Sequence, residues 1–251
     1  MLEQTFHTPL PLDLEVDIPS GDIEIETADG EESRVTVDGD ERLLADVEIR
    51  QDGNRVVVSY RGKGNLGFSF GSFFGRDDIR VRVWIPHGAS AKVKTASADT
   101  TAAGRLGDLS VNAVSGDVYV RGEVTGNVVL KTVSGDARIE TVGGKLSAQT
   151  VSGDVRVGPT GGPVDTKTVS GDIWCEAVRA GEVRFTSVSG DVEIGIAQGS
   201  LVDVDAGSTS GDLSSEVPLG SVPEPGGENG GPTVVVRGRT TSGDVRIFRA
   251  A

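Results

Sequence analysis

The tripeptide Ser-Gly-Asp, followed by an aliphatic residue, recurs along this chain at nearly constant spacing. It stands at Ser115-Gly116-Asp117, Ser134-Gly135-Asp136, Ser152-Gly153-Asp154, Ser170-Gly171-Asp172, Ser189-Gly190-Asp191 and Ser210-Gly211-Asp212, in steps of 19, 18, 18, 19 and 21 residues. A last copy follows at Ser242-Gly243-Asp244 after a step of 32, and an early one stands at Ser20-Gly21-Asp22. A fixed period of this length marks a stacked, quasi-one-dimensional fold in which each repeat buries its apolar face only against its neighbours.

Aligned on their serines, the repeats resolve into two strands and two turns. After each Asp comes an alternating strand such as Val118-Tyr119-Val120, Val155-Arg156-Val157 or Ile173-Trp174-Cys175. Strict alternation places one face in a core and the other in water. A glycine turn follows in most coils (Gly126, Gly143-Gly144, Gly161-Gly162, Gly181, Gly199). A second strand, such as Val128-Val129-Leu130 or Val183-Arg184-Phe185, then returns to the next Ser-Gly-Asp, with inward positions six and four residues before the serine. The predicted fold is therefore all-β: a single-domain parallel β-solenoid with coils of 18–19 residues and equivalent strands ~4.8 Å apart. At the corner, Gly supplies a φ > 0 conformation, and Asp or Ser bonds nearby amides. Thr132, Thr150, Thr168, Ser187, Ser208 and Thr240, two residues before each serine, share parity with the buried aliphatics. They are expected to form an inward hydroxyl ladder that satisfies turn amides.

The repeat frays at both ends. Residues 1–88 read as an irregular, antiparallel β-rich cap together with the first part of the solenoid, with Asp52-Gly53-Asn54 as a hairpin turn. Residues 89–251 form the repeat solenoid, interrupted by a Pro/Gly-rich insertion at 217–232. Val234-Val235-Val236 and Val245-Arg246-Ile247-Phe248 then complete the final rung.

The order of cap strands, then Ile79-Arg80-Val81-Arg82-Val83-Trp84-Ile85-Pro86-His87-Gly88-Ala89, then a train of Val-Ser-Gly-Asp-Val resembles the DUF4097 family over nearly the whole chain. That resemblance implies a parallel β-helix and a non-enzymatic, adhesin-like role linked to the surface or envelope. It brings no catalytic residues with it.

Composition narrows the partners. A net charge of −14 argues against nucleic acid, which needs a basic surface. One cysteine, Cys175, excludes an intramolecular disulfide and any multi-cysteine metal site. No stretch approaches the ~18 apolar residues of a membrane span. Met1-Leu2-Glu3-Gln4-Thr5-Phe6-His7 has neither a basic leader nor an apolar stretch, so the default expectation is cytoplasmic, with surface association by the family label as the other. The two histidines, His7 and His87, have no acidic or thiol partner at a known spacing, and no nucleophile-elbow or phosphate-loop pattern occurs. No catalytic, cofactor or metal residue is therefore assigned. The Asp column reads as turn caps, with a calcium ladder as the alternative.

Two features suggest binding. The outward residues following each Asp-aliphatic pair run Tyr119, Arg138, Arg156, Trp174 and Glu193, placing aromatic and guanidinium groups on neighbouring rungs. Tyr119 on Arg138 and Trp174 on Arg156 are expected to stack by cation–π contact, as a platform for a protein or glycan or simply as cover for the sheet. The second feature is the glycine-rich segment holding Phe68, Phe70, Phe73 and Phe74, read as a docking loop or as a lid on the first rung. The leading function is a non-enzymatic scaffold or binding module. A self-assembling structural protein polymerising through its solenoid ends is the alternative, and a glycan-active β-helix enzyme the third reading.

Overall fold

The computed structural model describes residues 1–61, 79–217 and 231–250. Among these, 21 strands join in one sheet wound around a single aliphatic core. Each rung has an upstream strand leading into its Ser-Gly-Asp corner and a downstream strand leaving it. Upstream strands stack in parallel through Leu109–Asn112, Val128–Lys131, Leu146–Gln149, Val164–Lys167 and Gly181–Thr186. Downstream strands do the same through Val118–Val124, Ala137–Val142, Val155–Thr160, Ile173–Val178 and Val192–Ile196. The expected parity holds: Val128, Leu130, Leu146, Ala148, Val164, Thr166, Val183 and Phe185 are all buried. A lone rung of four or five short aliphatics could not offset the cost of ordering its backbone, so stability comes from stacking.

The first rungs of the solenoid lie within residues 13–86. Asp13–Ala28 is a full rung that runs unbroken through the early Ser20-Gly21-Asp22 corner, in parallel register with Ser90–Leu106. Arg55–Tyr60 and Ile79–Pro86 pair in parallel with its two halves and make a further, discontinuous rung. The cap proper is three antiparallel strands, Leu2–His7, Glu32–Asp38 and Val47–Asp52, plus the short helix Glu41–Leu44. Asp40 caps that helix by accepting from the Arg42 amide at 2.9 Å.

The C-terminal rungs are out of chain order. Thr233–Thr240 and Val245–Arg249 pair directly with Gly181–Thr186 and Val192–Ile196. Leu201–Ser208 and Leu213–Ser215 then pair onto the outside of those strands. The expectation that residues 234–248 complete the final rung is thus corrected: they form the penultimate one. The physical reason lies in composition. Val234, Val236, Val245 and Ile247 are fully buried and need a neighbour on both sides, whereas Leu201, Val204 and Ala206 are half-buried and Leu213 is exposed. Phe185 adds a steric reason. Its register partner is Gly238, where a Cβ would collide with the ring, whereas the outer strand has Ala206 at the equivalent position.

Candidate functional site

The corners that set the side-chain columns are built from three hydrogen-bond devices. The inward hydroxyl accepts the amide of the corner glycine three residues ahead: Thr150 from Gly153 at 3.0 Å, Thr168 from Gly171 at 2.9 Å, Ser187 from Gly190 at 2.9 Å. Thr132 departs from this pattern, its buried hydroxyl having no hydrogen-bond partner among the described residues. Each Asp then accepts, through Oδ1, the backbone amide of the Asp on the next rung. The chain runs from Asp99 through Asp117, Asp136, Asp154, Asp172 and Asp191 to Asp244 and ends on Asp212, every bond 2.8–3.0 Å. The amides of Ser134, Ser152, Ser170, Ser189 and Ser242, finally, donate to the valine carbonyl one rung below, as Ser134 does to Val114 at 2.8 Å.

The glycine of the motif has a different job from the expected one. Only Gly21 and Gly116 in this column have positive φ. At Gly135, Gly153, Gly171 and Gly190 a Cβ would run into the carbonyl oxygen of the corner glycine beneath. Close approach of stacked backbones, more than a left-handed turn, requires glycine here.

These corners fix the outward column on the downstream face, where Tyr119, Arg138, Arg156, Trp174 and Glu193 stand in direct register. Stacking of Tyr119 on Arg138 and of Trp174 on Arg156 is not what holds them. The Tyr119 hydroxyl donates to Asp117 Oδ2 at 3.2 Å, which raises its pKa above the ordinary phenol value, and Arg156 reaches Asp154 Oδ2 at 3.4 Å. An Asp two residues back on the same strand face offers a charge partner at closer range than the next rung's ring. Among the described residues the cation–π contact is Arg246 over Phe248, 5.3 Å from the ring centroid.

Arg138, Arg156 and Trp174 form a ridge with a shallow cleft on each side. One cleft, about 350 Å³, is lined by the ridge together with Asp172, Asp191 and Glu193. The other, about 170 Å³, adds Glu140, Gly158 and Glu176. Among the described residues, neither the Arg138 guanidinium nor the Trp174 indole N–H has a hydrogen-bond or ion-pair partner, so both donors are open to an external acceptor. Glu140 is committed to the Gly122 amide at 2.6 Å. Among the described residues no group of three or more His, Cys, Asp or Glu side chains is arranged to hold a metal ion. Nor is any helix long and apolar enough to cross a membrane. Phe68, Phe70, Phe73 and Phe74 lie outside the described residues.

One exposed feature was not singled out from the sequence. Val114, Val133, Val151, Val169 and Val188, each directly before a corner serine, are 41–47% exposed and form a continuous aliphatic ridge along the corner. Its signal was the hydrophobic residue recurring one place before every serine from 115 to 189.

The profile of Toastrack DUF4097 proteins matches residues 12–248. The chain belongs to the Toastrack DUF4097 family. Among solved structures, this Toastrack chain is similar to a putative lipid binding protein from Parabacteroides distasonis, with a TM-score of 0.60 at 16% identity over 98% of this chain and 96% of that one. It is also similar to a putative adhesin from Bacteroides fragilis, with a TM-score of 0.55 at 15% identity over 98% and 96%. At such identities the likeness establishes the Toastrack fold. No curated protein matches the chain.

Proposed function

We propose that this chain is a non-enzymatic, adhesin-like binding module whose downstream face presents the Arg138–Arg156–Trp174 ridge to a glycan or protein partner. The observation behind this reading is the pair of open donors, Arg138 and Trp174, on one rigid column between two clefts. An indole face packs against the C–H face of a sugar or an aliphatic side chain, while its N–H and the guanidinium fork bind oxygen acceptors. The adhesin name of one structural neighbour agrees with a binding role. A non-catalytic role is supported by the carboxylates. The corner aspartates that line the larger cleft, Asp172 and Asp191, each hold a backbone amide, and in the smaller cleft Glu140 is tied to Gly122, which leaves Glu176 alone where glycoside hydrolysis needs an acid and a base.

Trp174 is its own reporter. In a Trp84→Phe background, titration with an immobilised glycan and peptide panel should change Trp174 emission for the ligand class that binds. Trp174→Ala should weaken that binding by ~10-fold, about 1.4 kcal/mol, without lowering the melting temperature. Equal binding by Trp174→Ala would remove the ridge as the site.

A further inference from the structure

The two faces of the solenoid carry opposite charge. From the strand Ser90–Leu106 to the strand Thr233–Thr240, the three outward columns of the upstream face carry eight cations and three carboxylates. The matching columns of the downstream face carry four cations and ten carboxylates, including the Asp ladder from Asp99 to Asp244. An anionic partner is therefore directed to the upstream face even though the chain as a whole is at −14.

Within that face one column has a period. Its members, in register order, are Lys94, Asn112, Lys131, Gln149, Lys167, Thr186 and Arg239. A cation stands on every second rung and a neutral hydrogen-bonding side chain on each rung between. The cations are thus about 9.6 Å apart, two strand spacings. The end members are engaged, Lys94 with Glu15 at 3.1 Å and Arg239 with Asp205 at 2.8 Å. Lys131 and Lys167 are exposed and, among the described residues, have no acidic partner. Beside this column runs the exposed valine ridge, Val133, Val151 and Val169 each lying two residues beyond a member of it.

We propose that this column is a second binding site, distinct from the downstream ridge, for a linear acidic polysaccharide bearing one carboxylate or sulfate per disaccharide. The cation spacing is close to the length of an extended β-linked disaccharide. Asn112, Gln149 and Thr186 provide hydrogen bonds for the intervening uncharged sugars. The valine ridge gives the apolar sugar faces a wall. A nucleic-acid strand, with a charge every ~3.4 Å, is far too densely charged for this period. A planar anionic membrane pressed on the valine ridge would also meet the Asp ladder three residues further on, whereas a polymer lying along one column avoids it.

The test uses the full chain with hyaluronan oligosaccharides, which carry one carboxylate per disaccharide, and with phosphatidylserine-containing vesicles, at low and moderate salt. Hyaluronan should bind in a salt-sensitive way. Lys131→Glu/Lys167→Glu should weaken it by roughly tenfold or more, as expected for two lost ion pairs turned repulsive. Lys131→Gln/Gln149→Lys preserves net charge but breaks the period, and should weaken binding to a similar degree. Trp174→Ala should leave it unchanged, so this site stands or falls independently of the downstream ridge. Unchanged melting temperatures will show that the variants are folded. Absence of hyaluronan binding, binding to vesicles alone, or full affinity in the register-shifted variant would each overturn the proposal.

Discussion

At Asp136 one carboxylate oxygen accepts the Asp154 amide at 2.9 Å, while the group as a whole lies one rung from two like charges, Asp117 and Asp154. The hydrogen bond stabilises the corner and the stacked charges oppose it. Asp136→Ala leaves the Asp154 amide without its acceptor and should cost about 1–2 kcal/mol in chemical denaturation. Asp136→Asn preserves a carbonyl acceptor and removes repulsion, so its cost should be less than half of that; equal losses would mean the corner does not depend on the bond. Cys175 poses a different problem. Burial pushes its thiol up to about 12. The folded chain therefore holds a proton that the unfolded chain releases near the ordinary thiol value. By linkage, stability should fall as pH rises above ~8.5 towards the folded value. A thiol reagent should label the native protein negligibly at pH 8 and the denatured protein at once. Rapid native labelling would show that the coil opens around this rung.

Among the strands, the two-strand coil, the inward parity and the hydroxyl ladder were legible because each repeats at a fixed offset from its serine. The order of the last rungs was not legible, because a repeat pattern states what each rung looks like and not which rung it joins. That order rests on Phe185 meeting Gly238 and on the two strands whose inward residues, Val234, Val236, Val245 and Ile247, are fully buried taking the inner place. It is directly testable. Thr186 and Arg239 are register partners, so a Thr186→Cys/Arg239→Cys pair should oxidise to a disulfide. Thr186→Cys/Gly207→Cys spans two strand spacings and should not. The reverse result would restore simple sequential stacking. The downstream ridge was legible as a column of residue types, but its bonding was not. Sequence register showed Arg156 beside Trp174, while the choice of Asp154 as partner depends on side-chain reach within the strand.

For the molecule as a whole, both ends present edge strands, the usual route to end-to-end association. Here both carry acidic groups. The outer C-terminal rung bears Asp203, Asp205, Asp212 and Glu216 with no Lys or Arg, and the cap's edge strands bear Glu3, Glu48 and Asp52 against the single Arg50. Like charges facing across a junction disfavour joining, so light scattering at low salt should report a monomer from micromolar to the highest soluble concentration. Growth with concentration would instead bring forward the self-assembling reading and assign function to the ends. The opposite charge of the two long faces belongs to this scale too, since it emerges only when the columns of all rungs are summed.

The sequence by its own period dictated the coil: its length, its corners, its parallel ladders and the parity of the core residues in the 18–19-residue repeats, because these depend on contacts between positions a fixed distance apart. Folding in three dimensions decided what spacing along the chain cannot encode. It chose the order of the last rungs through the fit of Phe185 to Gly238. It set the corner glycines against the carbonyls beneath them. By placing Thr233–Thr240 directly on Gly181–Thr186, it extended the alternating cation column to Arg239. In consecutive stacking Thr186 would face Gly207 and the column would stop at Lys167.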